Sequence, residues 1–306
     1  MIVERTVFLL SCMKQPQLKD YLHLHFLVVI WGFTAILGLL ISVSALSLTF
    51  YRTLLAAFGL GVVLVFTGKM VKISNRERLK MLLIGCSMGV HWFAFFASAR
   101  ASNASVCLAG MATTSLWTAL LAPLVGKKRI SFLEVGLGLM VIIGLYVIFR
   151  FEIDRATGLL LAIASAFLAA VFTIANSYIA NKHDAMLITF YEMIGGCVSS
   201  GLLWLGYSLL NPSVQNPLPS LQDWLWILVL AWVCTVYAYS AGVHLLRIIS
   251  PFTFNLTVNL EPVYGIILAF FVFGNSEKMT TGFYLGTIII LIAVVCYPIL
   301  NSRIKK

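Results

Sequence analysis

Residues 46–80 read LSLTFYRTLLAAFGLGVVLVFTGKMVKISNRERLK. The stretch Leu46–Phe66 holds a single charge, Arg52. A helix crossing a bilayer needs about 20 mostly apolar residues, because each adds about 1.5 Å across a hydrocarbon core of roughly 30 Å. Directly behind this run come five cations, Lys69, Lys72, Arg76, Arg78 and Lys80, with one acid, Glu77, among them. An apolar run that stops in a cation-rich loop predicts a membrane helix ending on the cytoplasmic side.

Working outward, nine further segments fit the same length rule. They are Leu22–Ile41, Leu79–Ala99, Ala104–Val125, Phe132–Phe149, Ala156–Ile179, Met186–Leu209, Gln222–Leu245, Pro251–Phe273 and Thr281–Leu300. Composition agrees. The chain is 61% hydrophobic and 10% charged, whereas a soluble domain carries about 25% charged residues. So few charges could not cover a water-facing surface. The net charge of +10 sits in short loops, so it reads as membrane orientation and not as a nucleic-acid footprint. With the N-terminus inside, sixteen Lys and Arg fall on the cytoplasmic side and four (Arg100, Arg150, Arg155, Lys278) on the other. That imbalance predicts an inner-membrane protein with both termini cytoplasmic. Cysteines are scattered singly without metal or redox spacing, so they read as small apolar helix residues. Neither a metal nor a cofactor is expected.

The chain also repeats itself. Thr49-Phe50-Tyr51-Arg52 returns as Thr189-Phe190-Tyr191-Glu192, Phe33-Thr34 as Phe172-Thr173, Arg100 as Arg247, and Lys128–Ser131 as Glu277–Thr280. The matches keep one order and offsets of 139 to 149 residues. Five helices per copy is an odd number, so the second copy must enter the membrane upside down. The expected fold is therefore all-α: ten transmembrane helices as two inverted five-helix repeats. Halves of this kind can exchange conformations around a site near the bilayer midplane.

These features resemble the EamA-type members of the drug/metabolite transporter superfamily over residues 20–300. The resemblance rests on Trp31-Gly32, Arg52, the glycines Gly136, Gly138 and Gly144, the Asn259-Leu260-Glu261-Pro262-Val263 motif, and the turn from Gly274 to Glu277. The loop Gly126-Lys127-Lys128-Arg129 departs from it, since many relatives carry an acid there. The resemblance implies an exporter or exchanger of amino acids and other small metabolites. Expected organisation is a cytoplasmic segment 1–20, a first EamA-like repeat 21–150, a second 156–300 and a basic tail 301–306. Residues 1–13 are expected to lie outside the fold, with Met13 as a natural start.

Ionisable residues inside a membrane are costly and default to functional hypotheses. Four stand out: Arg52, His91, Glu192 and Glu261. His91 and Glu261 lie about 11 residues into their helices, roughly 16 Å deep. Arg52 and Glu192 lie about 6 residues from opposite ends, roughly 9 Å from their own surfaces, so no direct ion pair between them is expected. Glu261 either binds a proton or a substrate amine, or holds the helix kinked at Pro262, which has no N–H to donate. His91 is either a proton relay or cavity ligand, or a neutral ring bonded to a neighbouring helix. Arg52 either reaches outward to the surface or attracts an anion at the outer mouth, and Glu192 mirrors it at the inner mouth. Asn255 and Asn259 make one face of the ninth helix polar. Thr34 and the aromatics Trp31, Tyr51, Trp92, Trp117, Tyr191, Tyr237 and Tyr239 complete the candidate cavity lining, with lipid-facing or packing bulk as the alternative for each aromatic. Trp204, Trp224 and Trp226 suit an interfacial belt.

The expected activity is secondary transport of a small-molecule substrate across the lipid bilayer, with protons as the coupling ion if transport is coupled. There is no nucleotide-binding motif to support ATP hydrolysis. Two rivals are an intramembrane lipid-modifying enzyme, which would need clustered His, Asp or Lys at one interface, and a non-transporting sensor or assembly subunit, which would need a sizeable soluble module.

Overall fold

A computed structural model describes residues 16–126, 131–151, 153–212, 218–274 and 279–304. The proposed start at Met13, the basic loop 127–129 and most of the Lys128–Ser131 and Glu277–Thr280 match lie outside them. All ten expected segments are helical. Span 1 is α1 (Leu18–Leu40), span 2 α2 (Ala45–Phe66) and span 3 α3 (Asn75–Ala101). Span 4 is two helices, α4 (Ala104–Met111) and α5 (Thr114–Gly126). Spans 5, 6 and 7 are α6 (Phe132–Phe151), α7 (Ala156–Ile179) and α8 (Ala185–Leu210). Span 8 runs from α9 (Leu221–Ala231) through a π-helical turn (Trp232–Tyr237) into α10 (Ala238–Leu245). Span 9 is α11 (Pro251–Val258) and α12 (Glu261–Phe273), and span 10 is α13 (Thr281–Ile304). Eight spans are long and apolar enough to cross a bilayer, and spans 5 and 10 carry shorter apolar stretches, Phe132–Ile148 and Thr281–Ala293.

The repeat is written into the hydrogen bonds. Ser44 and Asp184 cap spans 2 and 7, and the first turns behind them close alike, Thr49 Oγ1 donating to the Ala45 carbonyl and Thr189 Oγ1 to that of Ala185. Arg100 donates to the carbonyls of Gly38 and Ile41, each at 3.1 Å, closing the end of span 1. Arg247 donates to those of Ala180 and His183 at 2.8 and 2.7 Å, closing the end of span 6. Both arginines thus supply donors to helix-end carbonyls, and Arg247 also ties down His183 in the loop that follows.

Spans 4 and 9 break at equivalent places. Helices α4 and α11, and α5 and α12, start and end 147 residues apart. The causes differ. In span 9, Pro262 removes a donor just after the break at Asn259-Leu260. In span 4, hydroxyls replace lost helical donors, with Thr113 Oγ1 donating to Gly110 and Thr114 Oγ1 to Met111. The two elements also hold each other. Asn255 Nδ2 donates to Thr118 Oγ1 and Asn259 Nδ2 to Ser115 Oγ, both at 2.7 Å. Irregular backbone at this depth is thereby covered by protein. Small residues let helices meet backbone to backbone: a methyl on Gly85 would strike the Glu192 carbonyl, and one on Gly144 would come within 2.7 Å of that of Gly286.

Candidate functional site

Between the halves lies a cavity of about 100 Å³. Its deep end is lined by Arg52, His91, Trp92, Thr114 and Glu261. From there it reaches Asn176, Leu246 and Phe254, near the ends of spans 6 and 8 and the start of span 9. All three lie on the face that carries the N-terminus. The lining takes nothing from the other ends of those spans.

Arg52 is 1% exposed. Its Nε donates to Thr235 Oγ1 at 2.8 Å, and its guanidinium carbon lies 3.8 Å from the centre of the Trp92 ring. Nη1 is buried without a partner. A desolvated cation–π contact contributes about 2 kcal/mol, and a hydrogen bond to a charged group about 1.5–3 kcal/mol. Burying a lone cation costs several kcal/mol, so these contacts hold the group without satisfying it. The outward reach considered for Arg52 is therefore not what the fold builds. Its backbone sits high in span 2, but its long side chain turns inward to the level of His91 and Glu261.

Glu261 opens α12 at the break in span 9 and is 6% exposed. Its carboxyl has no hydrogen bond or ion pair among the described residues. Arg52 and Glu261 thus share one cavity, and no ion pair within 4.0 Å joins them. His91 Nδ1 lies 2.9 Å from the Ser165 carbonyl and 2.8 Å from Ser165 Oγ, which itself donates to the His91 carbonyl. A carbonyl only accepts, so Nδ1 carries a proton and donates it there. His91 is thus bonded to a neighbouring helix, span 6, and lines the cavity as well.

Of the other candidates, Trp31, Thr34, Trp92, Tyr239 and Asn255 line the cavity. Asn259 lies beside it, held by Ser115. Glu192 is fully buried behind the wall, its carboxyl facing the Asn176–Tyr239 pair. No ion pair joins it to Arg52 among the described residues. The remaining aromatics lie elsewhere. Tyr51 packs edge-on against Phe50, Trp204 and Trp224. Trp117 packs against Phe167, and Tyr191 against Phe190. Tyr237 is 45% exposed and bonds His23 at 3.2 Å.

Several lining residues were not among the candidates: Thr114, Thr173, Asn176 and Phe254. The repeat register could have found two. Thr114 stands 147 residues before Glu261, and Thr173 is the copy of Thr34. Asn176 carries its own signal, a polar residue in an apolar span. Among the candidates, Tyr239 differs from Tyr237 only in which side of span 8 it occupies.

The profile of the EamA-like transporter family matches residues 21–150 and again 156–297. A protein of Archaeoglobus fulgidus described as an uncharacterized transporter is 25% identical over 284 residues, covering 90% of this chain and 96% of that one. A protein of known crystal structure shares the fold at a TM-score of 0.66 and 16% identity, over 93% of this chain and 99% of that one. With two family matches spanning nearly the whole chain, one over each half, this protein belongs to the EamA-like transporter family.

Proposed function

We propose that the protein is a secondary transporter of small zwitterionic metabolites such as amino acids, working as an exporter or exchanger by alternating access. One observation carries this reading: a single cavity holds an unsatisfied cation, Arg52, and an unpaired acid, Glu261, between aromatic walls. A carboxylate would suit the guanidinium and an ammonium the acid. The apolar body would lie against Trp31, Phe172, Phe254 and Tyr239. Thr34, Trp92 and Asn255 would line the same path. Pro262 would keep Glu261 at the kink, free of helical neighbours on its N-terminal side. If transport is proton-coupled, Glu261 is the residue that carries the proton, because it is the acid in the cavity.

The charge imbalance of sixteen against four supports an inner-membrane protein with both termini in the cytoplasm. The cavity would then face the cytoplasm. Alkaline phosphatase fused after Asn211 should be active and fused after Lys72 inactive. The decisive assay uses purified protein in liposomes loaded with a panel of labelled amino acids. Exchange of at least one of them against external solute is expected. Protein-containing liposomes no leakier than empty ones across the panel would sink the reading. For coupling, Glu261→Gln should abolish the pH-gradient dependence of that flux, and unchanged dependence would remove Glu261 from the role.

A further inference from the structure

Span 8 abandons the α-helical register for one stretch, Trp232–Tyr237, and it does so where Arg52 arrives from span 2. π-turns are rare, and they concentrate at functional sites. The centre of this one is Thr235, which is fully buried. Its hydroxyl donates to the Leu230 carbonyl, five residues back, at 2.8 Å. A hydroxyl has one proton, so that bond leaves only lone pairs for other partners. Those lone pairs receive the Arg52 Nε–H at 2.8 Å. The ring of Trp92 covers the guanidinium at 3.8 Å. One edge of a planar fork is fixed, one face is covered, and Nη1 is left without a partner.

We propose that Thr235 is a positioning residue for substrate recognition. By holding the Nε edge of Arg52, it sets the opposite edge of the guanidinium to donate to the carboxylate end of the transported molecule. This rests on the zwitterion reading of the cavity given above. A purely structural role would explain a hydroxyl closing a helix defect. It would not explain why the defect, the hydroxyl's spare lone pairs and a buried arginine meet at one point. The equivalent stretch of span 3 contains neither a defect nor an arginine contact. Span 3 there is regular helix around Met88 and Gly89.

The test separates the two ends of the substrate. Three probes share one ring and differ in charge: 3-phenylpropionate (anion only), phenethylamine (cation only) and L-phenylalanine (both). Their affinities are measured by calorimetry on the purified full chain, for wild type, Thr235→Val and Thr235→Ser. Thr235→Val keeps the shape and removes the hydroxyl. It should weaken 3-phenylpropionate and L-phenylalanine about tenfold, the scale of one charge-assisted hydrogen bond losing its geometry. Phenethylamine should change less than about twofold. Thr235→Ser, which restores the hydroxyl, should return both weakened probes to within about threefold of wild type. Unchanged anion binding in Thr235→Val overturns the proposal. So does equal weakening of all three probes, which would mark general damage to the wall, and so does failure of serine to rescue. Wild-type protein that binds none of the probes refutes the zwitterion reading and this proposal with it. Wild type that binds them while Thr235→Val is indifferent refutes the positioning role alone.

Discussion

Spans 3 and 8 hold the same place in the two halves, and they have been put to opposite uses. Each begins at a serine N-cap with an acid three residues on, Ser74 with Glu77 and Ser220 with Asp223. Each carries an arginine at its far end, Arg100 in the last turn of span 3 and Arg247 just past span 8, that closes the end of a neighbouring span. Between those ends they part. Span 3 is one unbroken helix of 27 residues. It lies backbone on backbone against span 7, where Gly85 meets Glu192 and Gly195 meets Leu82. It is tied to span 6 by His91 with Ser165, and by Ser98 Oγ donating to the Gly158 carbonyl at 2.7 Å. Span 8 contains the π-turn and meets span 2 through side chains, Thr235 with Arg52 and the Trp232 ring against Gly59. The cavity lies beside this contact, lined by Arg52 of span 2 and by Tyr239, Gly242, Val243 and Leu246 of span 8. The frame of the molecule is therefore symmetric, and the cavity is the place where the symmetry is broken. If the halves exchange conformations as proposed, span 3 must loosen as span 8 closes, and the cavity would then open to the other face.

The largest effect is expected at the tight interface between spans 3 and 7. Gly85→Leu would force a branched side chain into the Glu192 backbone, where nothing flexible can move aside. Overpacking typically costs about 1–3 kcal/mol and more where backbone must shift, so extractable folded protein should fall at least about a hundredfold. At the loose interface, Gly59→Ala meets only the edge of the Trp232 ring, at 2.8 Å. It should leave yield within about twofold. Equal losses at both glycines would show that spans 3 and 8 are packed alike.

Next in size is the exchange of chemistry between the paired breaks. Glu261 and Thr114 are the first residues of α12 and α5, 147 residues apart, and both line the cavity. Glu261→Thr should lower L-phenylalanine flux at least about thirtyfold, since losing a buried charge partner costs about 2 kcal/mol or more. Adding Thr114→Glu returns an acid to the mirrored position and should recover part of the flux. Flux in Glu261→Thr equal to wild type would mean the acid has no part in binding or coupling.

A smaller shift is expected at the closed face. Asp223 takes four hydrogen bonds there, from the backbone and hydroxyl of Ser42 at 2.7 Å and from those of Ser220 at 2.9 and 2.8 Å. This links the first loop to the start of span 8. Asp223→Asn replaces charged bonds by neutral ones, a difference of about 1.4 kcal/mol. A cysteine placed at Thr34 in a cysteine-free background reports the result. Its labelling by an impermeant maleimide added from that face should rise roughly tenfold. No rise would mean that the Asp223 cluster does not hold the face shut.

The ten spans and the inverted repeat were legible because they rest on apolar length and loop charge, which are properties of whole segments. The break in span 9 was legible too, because proline advertises its missing donor. Its twin in span 4 was not. Thr113 and Thr114 look like ordinary polar residues until their hydroxyls are seen closing on Gly110 and Met111. Counting residues along span 2 placed Arg52 too near the surface, because the count locates a backbone and the guanidinium sits at the far end of a flexible stem. The π-turn left no mark in the apolar pattern of span 8, so neither Thr235 nor the choice of Tyr239 over Tyr237 could be read from it.

The smallest effect belongs to the counterpart of Asp223 on the other face. Glu77 lies 3.5 Å from His183 and 2.6 Å from Lys80, with the Glu77 and His183 side chains 20% and 18% exposed. Asp223 is 3% exposed and takes four hydrogen bonds, two of them from Ser42 in the first loop. Partly solvated ion pairs contribute about 0–1 kcal/mol, so Glu77→Gln should change labelling of the Thr34→Cys reporter from the N-terminal face by less than about threefold. The inequality between the two acids matters more than either number. Two equivalent clusters, one tight and one slack, are what a molecule closed at one face and open at the other requires. If Glu77→Gln moved the equilibrium as far as Asp223→Asn, both faces would be latched. The cavity would then be an occluded chamber, and its facing toward the N-terminal side would have to be given up.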